Sequence, residues 1–282
     1  MDKKLKLAVI GKPIGHSKSP EIHQQFANQF DAKIEFRKDE VTPETLDTWL
    51  ADFFKKSGKG VSITLPLKEA ALNYADEISN RARLASACNV IYAKDEKLFA
   101  DCTDGFGLIK DLEENLKVSL KDKKILILGA GGAARGIIPS IIEKDPSKLK
   151  IANRTERKAL LLKEDLEGKV DLKGKNLILE AGGLVDDFLL ADSYDLVINS
   201  TSVSTQAGES IGLPKALFSS TKLAYDLFYS AENTVFMQEA LAAGAEKVSD
   251  GWAMLVEQGA ESFRLWTNLI PDTSRLLEKP ID

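Results

Sequence analysis

One stretch, Lys123–Ile137 (KKILILGAGGAARGI), constrains the fold more than any other. Ile125, Leu126, Ile127 and Leu128 form a short apolar run, the pattern of a strand buried on both faces. Gly129, Gly131, Gly132, Ala133 and Ala134 follow directly. The spacing Gly129-x-Gly131-x-x-Ala134 is a dinucleotide fingerprint ending in a small residue. Gly129 permits the tight turn out of the strand, Gly131 lets the backbone approach a pyrophosphate, and Ala134 lets the new helix pack closely on the strand. That helix, expected over 133–143, would aim its free N–H groups and positive dipole end at the phosphates. Such a turn alone is also an ordinary strand-to-helix connection. Here strand, turn and helix stand in the required order, and a second strand follows near Leu149–Ala152.

At the end of that second strand an NAD site usually carries an acid for the ribose hydroxyls. This chain has Asn153-Arg154-Thr155, with Lys158 one helical turn on. Arg154 stands about twenty residues past the fingerprint. Two cations and no carboxylate there favour a 2′-phosphate, hence NADP(H) over NAD; the alternative is a pair of solvated surface charges.

The chain has 282 residues, room for one large or two moderate domains. A formal net charge of −5 argues against a nucleic-acid surface. Its two cysteines, Cys88 and Cys102, fit a reducing compartment better than a disulfide framework. With two histidines and no Cys/His cluster of ligand spacing, no metal site is expected. No signal-like segment and no bilayer-length apolar run are evident, so a cytoplasmic protein without membrane partners is expected, acting on a small molecule as a monomer or homodimer.

Leu5–Ile10 reads as a first strand, broken by Gly11-Lys12-Pro13. A polar loop, Gly15–Pro20, leads into a helix over 21–30. Within it Ser17 and Ser19 suit either a helix cap or a carboxylate or polyhydroxy ligand. Ile34–Lys38 is a second strand, and a helix carrying Leu46, Trp49, Leu50 and Phe53 begins at Thr42–Thr45. Gly58 and Gly60 are expected to close the connection before the strand Val61–Leu65. Pro66 is read as the first position of another helix, which places Thr64 at a strand end and Lys68 in a first helical turn, where open α/β sheets bind ligands. A cation facing a helix N-terminus should have a lowered pKa, as a base needs; the alternative is a snorkelling surface lysine. A helix over 78–85, the segment Ala87–Tyr92 leading into a strand with a hairpin partner at Leu98–Ala100, and Asp104-Gly105 as a turn or helix start complete this part. Asp104 is a helix cap or a site residue.

The remainder continues as a doubly wound α/β pattern: a charged helix after Thr155, strands near Leu177–Glu180, Asp195–Thr201 and Leu223–Tyr229, a helix over 234–243 and a short strand at Lys247-Val248. Ser202–Gly212 is a Ser/Gly-rich candidate lid. Asp250-Gly251-Trp252 marks a hinge before a long helix over 254–268, whose apolar stripe is Leu255, Gly259, Phe263, Trp266 and Ile270. Gln258 lies beside that stripe and either bonds its neighbours or reaches into a cleft. The domain boundaries expected are 1–104 with 252–282, and 105–251.

These pieces resemble the shikimate dehydrogenase family across nearly the whole chain. The resemblance rests on GHSKSP at Gly15–Pro20, ITLPLK at Ile63–Lys68, CN at Cys88–Asn89, CTDG at Cys102–Gly105, GAGGAA at Gly129–Ala134, NRT at Asn153–Thr155, DLFY at Asp226–Tyr229 and DGWAMLVEQGA at Asp250–Ala260, in that order. It implies an NADP-dependent oxidoreductase interconverting 3-dehydroshikimate and shikimate on the route to chorismate and aromatic amino acids. The implied fold is an α/β substrate domain and a Rossmann-type NADP domain with a cleft between them, the C-terminal helix returning to the substrate domain. Carried over, Lys68 would be catalytic with Asp104 beside it. Ser17 and Ser19 would hold the substrate carboxylate, and Thr64, Asn89, Asp104, Gln258 and Tyr229 its hydroxyls. Gly129, Ala130, Gly131, Gly132 and Ala133 would hold the pyrophosphate, Asn153, Arg154, Thr155 and Lys158 the 2′-phosphate, and Leu227 and Gly251 would line the nicotinamide.

Four positions depart from the family pattern. Ser62 stands for a usual Asn, Val90 for a common Thr, Ser204 for a common Gly and Lys158 for a frequent second Arg. Lys158 keeps the charge but lacks the planar fork. A quinate-accepting enzyme with relaxed cofactor use, and a non-catalytic NADP-binding relative, are the alternatives the sequence leaves open.

Overall fold

The computed structural model describes residues 4–170, 174–205 and 208–278. Residues 206 and 207 of the candidate lid lie outside the described residues. The chain divides into two compact units, one running to Gly107 and resuming at Leu255, the other spanning Leu108–Met254.

The first unit holds a six-stranded mixed sheet. Its elements are β1 (Leu5–Gly11), α1 (Ser19–Asn28), β2 (Ile34–Glu40), α2 (Leu46–Lys55), β3 (Gly58–Ile63), β4 (Glu77–Ile78), α3 (Asn80–Ala85), β5 (Val90–Lys94) and β6 (Lys97–Asp101). The strand order is β2-β1-β3-β5-β6-β4. β1 runs parallel to β2 and β3, while β5 is antiparallel to β3 and forms a hairpin with β6. Strand residues alternate between faces. Ala8, Ile10, Val61, Ile63 and Ile91 pack with Leu46, Leu50 and Phe53 of α2. α1 buries Ile22, His23, Phe26 and Ala27 on one stripe, the i, i+4 spacing of an amphipathic helix.

Gly58 and Gly60 are part of β3 rather than of the connection before it. A Cβ on Gly58 would lie 2.2 Å from the Phe53 ring, and one on Gly60 would lie 2.4 Å from Trp266 Nε1. The two glycines let aromatic rings lie directly on the strand.

The second unit is a six-stranded sheet, parallel throughout. Its elements are α4 (Asp104–Lys110, which begins in the first unit), β7 (Lys124–Leu128), α5 (Gly132–Ile142), β8 (Lys148–Asn153), α6 (Glu156–Lys169), β9 (Ile178–Gly183), α7 (Asp186–Leu189), β10 (Leu196–Asn199), β11 (Leu223–Asp226), α8 (Val235–Ala242) and β12 (Lys247–Ser249). The order is β12-β11-β10-β7-β8-β9. Ile125, Ile127, Ile151, Ile198 and Tyr225 belong to one apolar core; Leu126, Leu128, Ala152, Val197 and Ala224, their neighbours along the same strands, belong to another. Both faces are therefore covered, which is why the strands read as continuous apolar runs. Crossover connections in such a sheet place loops and helix N-termini at the carboxyl ends of its strands.

The last helices are α9 (Trp252–Thr267) and α10 (Ser274–Leu277). In the first unit, Trp266 lies 4.8 Å, centroid to centroid, from the His23 ring, and Phe263 stacks on Phe30 at 6.2 Å. Ile270 lies beyond the end of α9 and is 76 % exposed, so it is not part of the apolar stripe.

Candidate active site

In the first unit, the ends of β1 and β3 are parallel neighbours and their following loops are laced together. Lys12 N–H donates to Leu65 O at 2.9 Å, and Thr64 N–H to Ile10 O at 3.0 Å. A Cβ on Gly11 would meet Thr64 Cγ2 at 2.5 Å, so this approach requires glycine. The first loop brings Ser17 and Ser19 together; Ser17 Oγ donates to Ser19 Oγ at 3.2 Å and both residues are buried. Ser19 is the first residue of α1, and Lys18 occupies the cap position. The hydroxyl of Ser19 is thus not spent on a helix cap.

Lys68 does not stand in an α-helix. Its carbonyl accepts from Cys88 N–H at 2.9 Å, and Leu67 N–H closes a tight turn on Thr64 O. Only a short 3₁₀ segment, Ala70–Tyr74, follows. The expected helix dipole is therefore absent. What faces Lys68 is Asp104: Nζ lies 2.5 Å from Oδ2, with side chains 15 % and 7 % exposed. Burial pushes the lysine pKa down, but the charge of Asp104 and the hydrogen bond to it outweigh that, and the net shift is upward. Lys68 is an ammonium at neutral pH.

Asn89 sits between β3 and β6, its N–H on Asp101 O (3.1 Å) and its carbonyl accepting from Ile63 N–H (2.7 Å). Its Oδ1 accepts from Thr103 N–H at 2.7 Å. Its Nδ2 faces Thr103 Oγ1 (2.9 Å), Asp104 Oδ1 (3.0 Å) and Gln258 Oε1 (2.9 Å). An amide nitrogen has two hydrogens for these three acceptors, so acceptor capacity is left for a ligand hydroxyl. Sequence reasoning singled out Asn89, Asp104 and Gln258 but not Thr103 or Ser262. Thr103 Oγ1 lies 3.2 Å from Gln258 Oε1 and 3.1 Å from Ser262 Oγ, which donates to Gln258 O. The i, i+4 spacing of Gln258 and Ser262 was the available signal.

In the second unit, Gly129 has φ +111°, and a Cβ there would lie 2.6 Å from Ser200 Oγ. At Gly131 the place of a Cβ is open space. Gly131 is the N-cap of α5, without a side-chain cap, while Ala134 is buried against the core. Free N–H groups beside an open glycine are what a pyrophosphate needs, and Ala130, Gly132 and Ala133 share this turn. Asn153 ends β8, its Nδ2 on Thr155 O at 2.9 Å. Arg154, Thr155 and Lys158 are exposed at the start of α6. These residues fit a nucleotide with a 2′-phosphate.

Leu227 leaves β11 with its N–H on Asn199 O at 2.9 Å. A Cβ on Gly251 would lie 2.2 Å from Leu227 O, so no other residue fits there. Tyr229 packs edge-on to Trp252 with centroids 5.7 Å apart. Ser204 donates to the buried carboxylate of Asp226 at 2.6 Å, tying the start of the Ser/Gly-rich loop to β11; Asn199 and Thr234 bind the same carboxylate. That is the structural role of a serine where the family commonly has glycine. Among the described residues no group of three or more His, Cys, Asp or Glu side chains could hold a metal ion, and no helix is long and apolar enough to cross a membrane.

A parallel nucleotide-type sheet in the same chain as an α/β unit carrying a buried Lys–Asp pair defines a class: the two-domain α/β dehydrogenases. Comparison with known proteins specifies it further. Residues 9–91 match the shikimate dehydrogenase substrate binding domain, 111–208 the shikimate/quinate 5-dehydrogenase family and 251–278 the shikimate 5′-dehydrogenase C-terminal domain. The shikimate dehydrogenase (NADP(+)) of Hahella chejuensis is 40 % identical over 270 residues, 96 % of each chain. That of Chromobacterium violaceum is 41 % identical over 271 residues, 95 % of each. Among solved structures, the Thermus thermophilus shikimate 5-dehydrogenase in complex with NADP(H) and shikimate is similar at a TM-score of 0.81 and 33 % identity, over 96 % of each chain. The Ael1 enzyme of Pseudomonas putida is similar at a TM-score of 0.86 and 36 % identity, over 99 % of this chain and 100 % of that one. The chain belongs to the shikimate dehydrogenase family.

Proposed function

We propose that this chain is an NADP-dependent shikimate dehydrogenase, reducing 3-dehydroshikimate reversibly to shikimate in the cytoplasm, on the route to chorismate. Two kinds of observation support the reading: relatives that bear this name at about 40 % identity over almost their whole length, and the buried Lys68–Asp104 pair beside a cluster of amide and hydroxyl groups. The unit that runs to Gly107 and resumes at Leu255 takes the substrate, and the unit Leu108–Met254 takes the nucleotide.

NADP(H), held at Gly129–Ala133 and by Asn153, Arg154, Thr155 and Lys158, with Leu227 and Gly251 at the nicotinamide, supplies the hydride chemistry when bound. The chain's own residues position the ring and manage the proton. Ser17 and Ser19 hydrogen-bond the substrate carboxylate. Thr64, Asn89, Gln258 and Tyr229 bind ring hydroxyls. Lys68 Nζ, kept protonated by Asp104, donates its proton to the alkoxide oxygen as the ketone is reduced. Asp104 holds the ammonium and a neighbouring hydroxyl in one geometry, the entropic part of the catalysis. In the oxidation direction Lys68 must first be neutral, so the high pKa favours reduction near neutral pH.

The test is reduction of cofactor, followed by absorbance, with shikimate and NADP, then NAD, then quinate in place of shikimate. Turnover of shikimate with NADP is expected to exceed the other combinations. No turnover of shikimate would overturn the reading, and turnover of quinate in its place would reassign the substrate.

A further inference from the structure

Gln258 and the residues it meets are far apart in the chain, and something must hold them at hydrogen-bond distance. Asn89, Thr103 and Asp104 stand around the β5–β6 hairpin; Gln258 stands on α9. The hydrophobic driving force that buries α9 is non-directional, and a directional polar contact adds to close packing in fixing its register. A guanidinium supplies one. Arg81, on α3, directs Nε and Nη2 to the two carboxylate oxygens of Asp101 at 3.0 and 2.8 Å, and Nη1 to Glu261 Oε1 at 2.8 Å. Asp101 ends β6, two residues before Thr103 and three before Asp104. Its Oδ1 also accepts from Ser79 Oγ and Cys102 N–H, both at 2.7 Å. Glu261 lies one helical turn after Gln258 and also accepts from Arg264, at Oε2 (2.7 Å) and at the shared Oε1 (2.8 Å).

The charges close on themselves. Asp101 and Glu261 have side chains 7 % and 6 % exposed. Arg81 faces both, and Arg264 faces Glu261. Burial alone would raise the pKa of Glu261, but its hydrogen bonds from both arginines bring it below the ordinary value. Glu261 is therefore ionised at neutral pH, and the geometry depends on a fork that serves two carboxyl groups at once. Lysine has the charge but not the fork.

We propose that Arg81 is a positioning residue for substrate binding: by bridging Asp101 and Glu261 it sets the register of α9 against the β6 end, and so holds Gln258 beside Asn89 and Thr103. Arg81 touches neither reacting atom nor cofactor in this scheme; it acts through Gln258. The inference rests on shikimate being the substrate, and wild-type turnover of shikimate checks that first.

The experiment is steady-state kinetics of Arg81→Lys, Gln258→Ala and the double variant, with Glu261→Gln as a second way of breaking the bridge. Arg81→Lys is expected to raise the shikimate KM about five- to tenfold, with a smaller change in kcat and an unmoved NADP KM. Glu261→Gln, which keeps one acceptor oxygen, should move the same constant in the same direction by less. In the Gln258→Ala background the Arg81→Lys step should add almost nothing, because two residues acting through one contact are not additive. A purely structural arginine would give the same loss in both backgrounds, and that result would overturn the proposal. So would an unchanged shikimate KM in both Arg81→Lys and Glu261→Gln. If the wild-type protein turns over no shikimate, the functional reading fails before this question is reached.

Discussion

His23 provides the sharpest quantitative test of the folded structure. Its imidazole is 1 % exposed and packs among Phe26, Phe36, Phe263 and Trp266, stacked on Phe36 at 4.9 Å. Nδ1 is buried without a hydrogen-bond partner. Burial lowers its pKa from 6.5 to about 3. Below pH ~6.5 the unfolded chain takes up a proton that the folded chain refuses until about pH 3, so stability is complete above the upper value and is lost as pH falls toward the lower one. The loss is about 1.4 kcal/mol for each pH unit in that window, or about 3 kcal/mol at pH ~4.5. His23→Leu removes the titration, roughly keeps the volume and breaks no hydrogen bond, so at about pH 7 it should change stability by ~1 kcal/mol or less. Urea unfolding of both proteins at about pH 7 and about pH 4.5, followed by tryptophan fluorescence, measures the difference; the carboxylates that titrate in the same range cancel between them. His23→Leu should be the more acid-resistant by about 3 kcal/mol. Equal acid sensitivity in the two proteins would refute the burial argument.

Three further outcomes are expected. Lys68→Ala should lower kcat by about 10²–10⁴-fold with a smaller effect on the shikimate KM, as the loss of a proton donor requires; near-normal kcat would remove Lys68 from the mechanism. Replacing Arg154 and Lys158 together by Ala should raise the NADP KM by at least about tenfold and leave NAD use almost unchanged, because only the 2′-phosphate loses its partners; equal losses with both cofactors would place the phosphate elsewhere. Gly251→Ala forces a methyl to within 2.2 Å of Leu227 O and should cost ~2–4 kcal/mol, seen as a lower melting temperature and reduced nucleotide affinity.

Much of the second unit is legible in the sequence because its determinants are local. The Ile125–Leu128 run, the Gly129–Ala134 turn and the α5 segment are contiguous, and apolar strand, tight turn and helix follow from neighbours alone. The first unit is less so, because its decisive contacts are distant. Gly58 and Gly60 read as breakers until Phe53 and Trp266 are seen lying on them. Lys68 reads as helical because Pro66 is common at a helix start, yet the carbonyl of Lys68 is claimed by Cys88 N–H from another segment. The direction of its pKa depends on an aspartate 36 residues away. Arg81 carried no sequence signal, since its second carboxylate is 180 residues further on. Lys68, Asp104 and Gln258 are legible as candidates from a strand end, a turn and a helix stripe, whereas Asn89 and the pairing of Lys68 with Asp104 come from the family resemblance; the contacts of Asn89 with Thr103 and Gln258 are not legible.

The return of the chain to the first unit at Leu255 has a consequence for biogenesis. A ribosome releases residues in order, so His23, Phe26, Gly60 and Arg81 emerge long before Phe263 and Trp266, which cover the first three, and Glu261, which tethers Arg81. At ~5–20 residues per second the whole of the second unit must be translated in between, a delay of roughly seven to thirty seconds. During that interval the aromatic face of α1 and the Asp101–Arg81 pair wait without their last partner, while the second unit has all of its own strands. The nascent chain therefore completes its second unit first, and a chain terminated before Leu255 would hold all the strands of that unit while lacking the helix that brings Gln258 to Asn89.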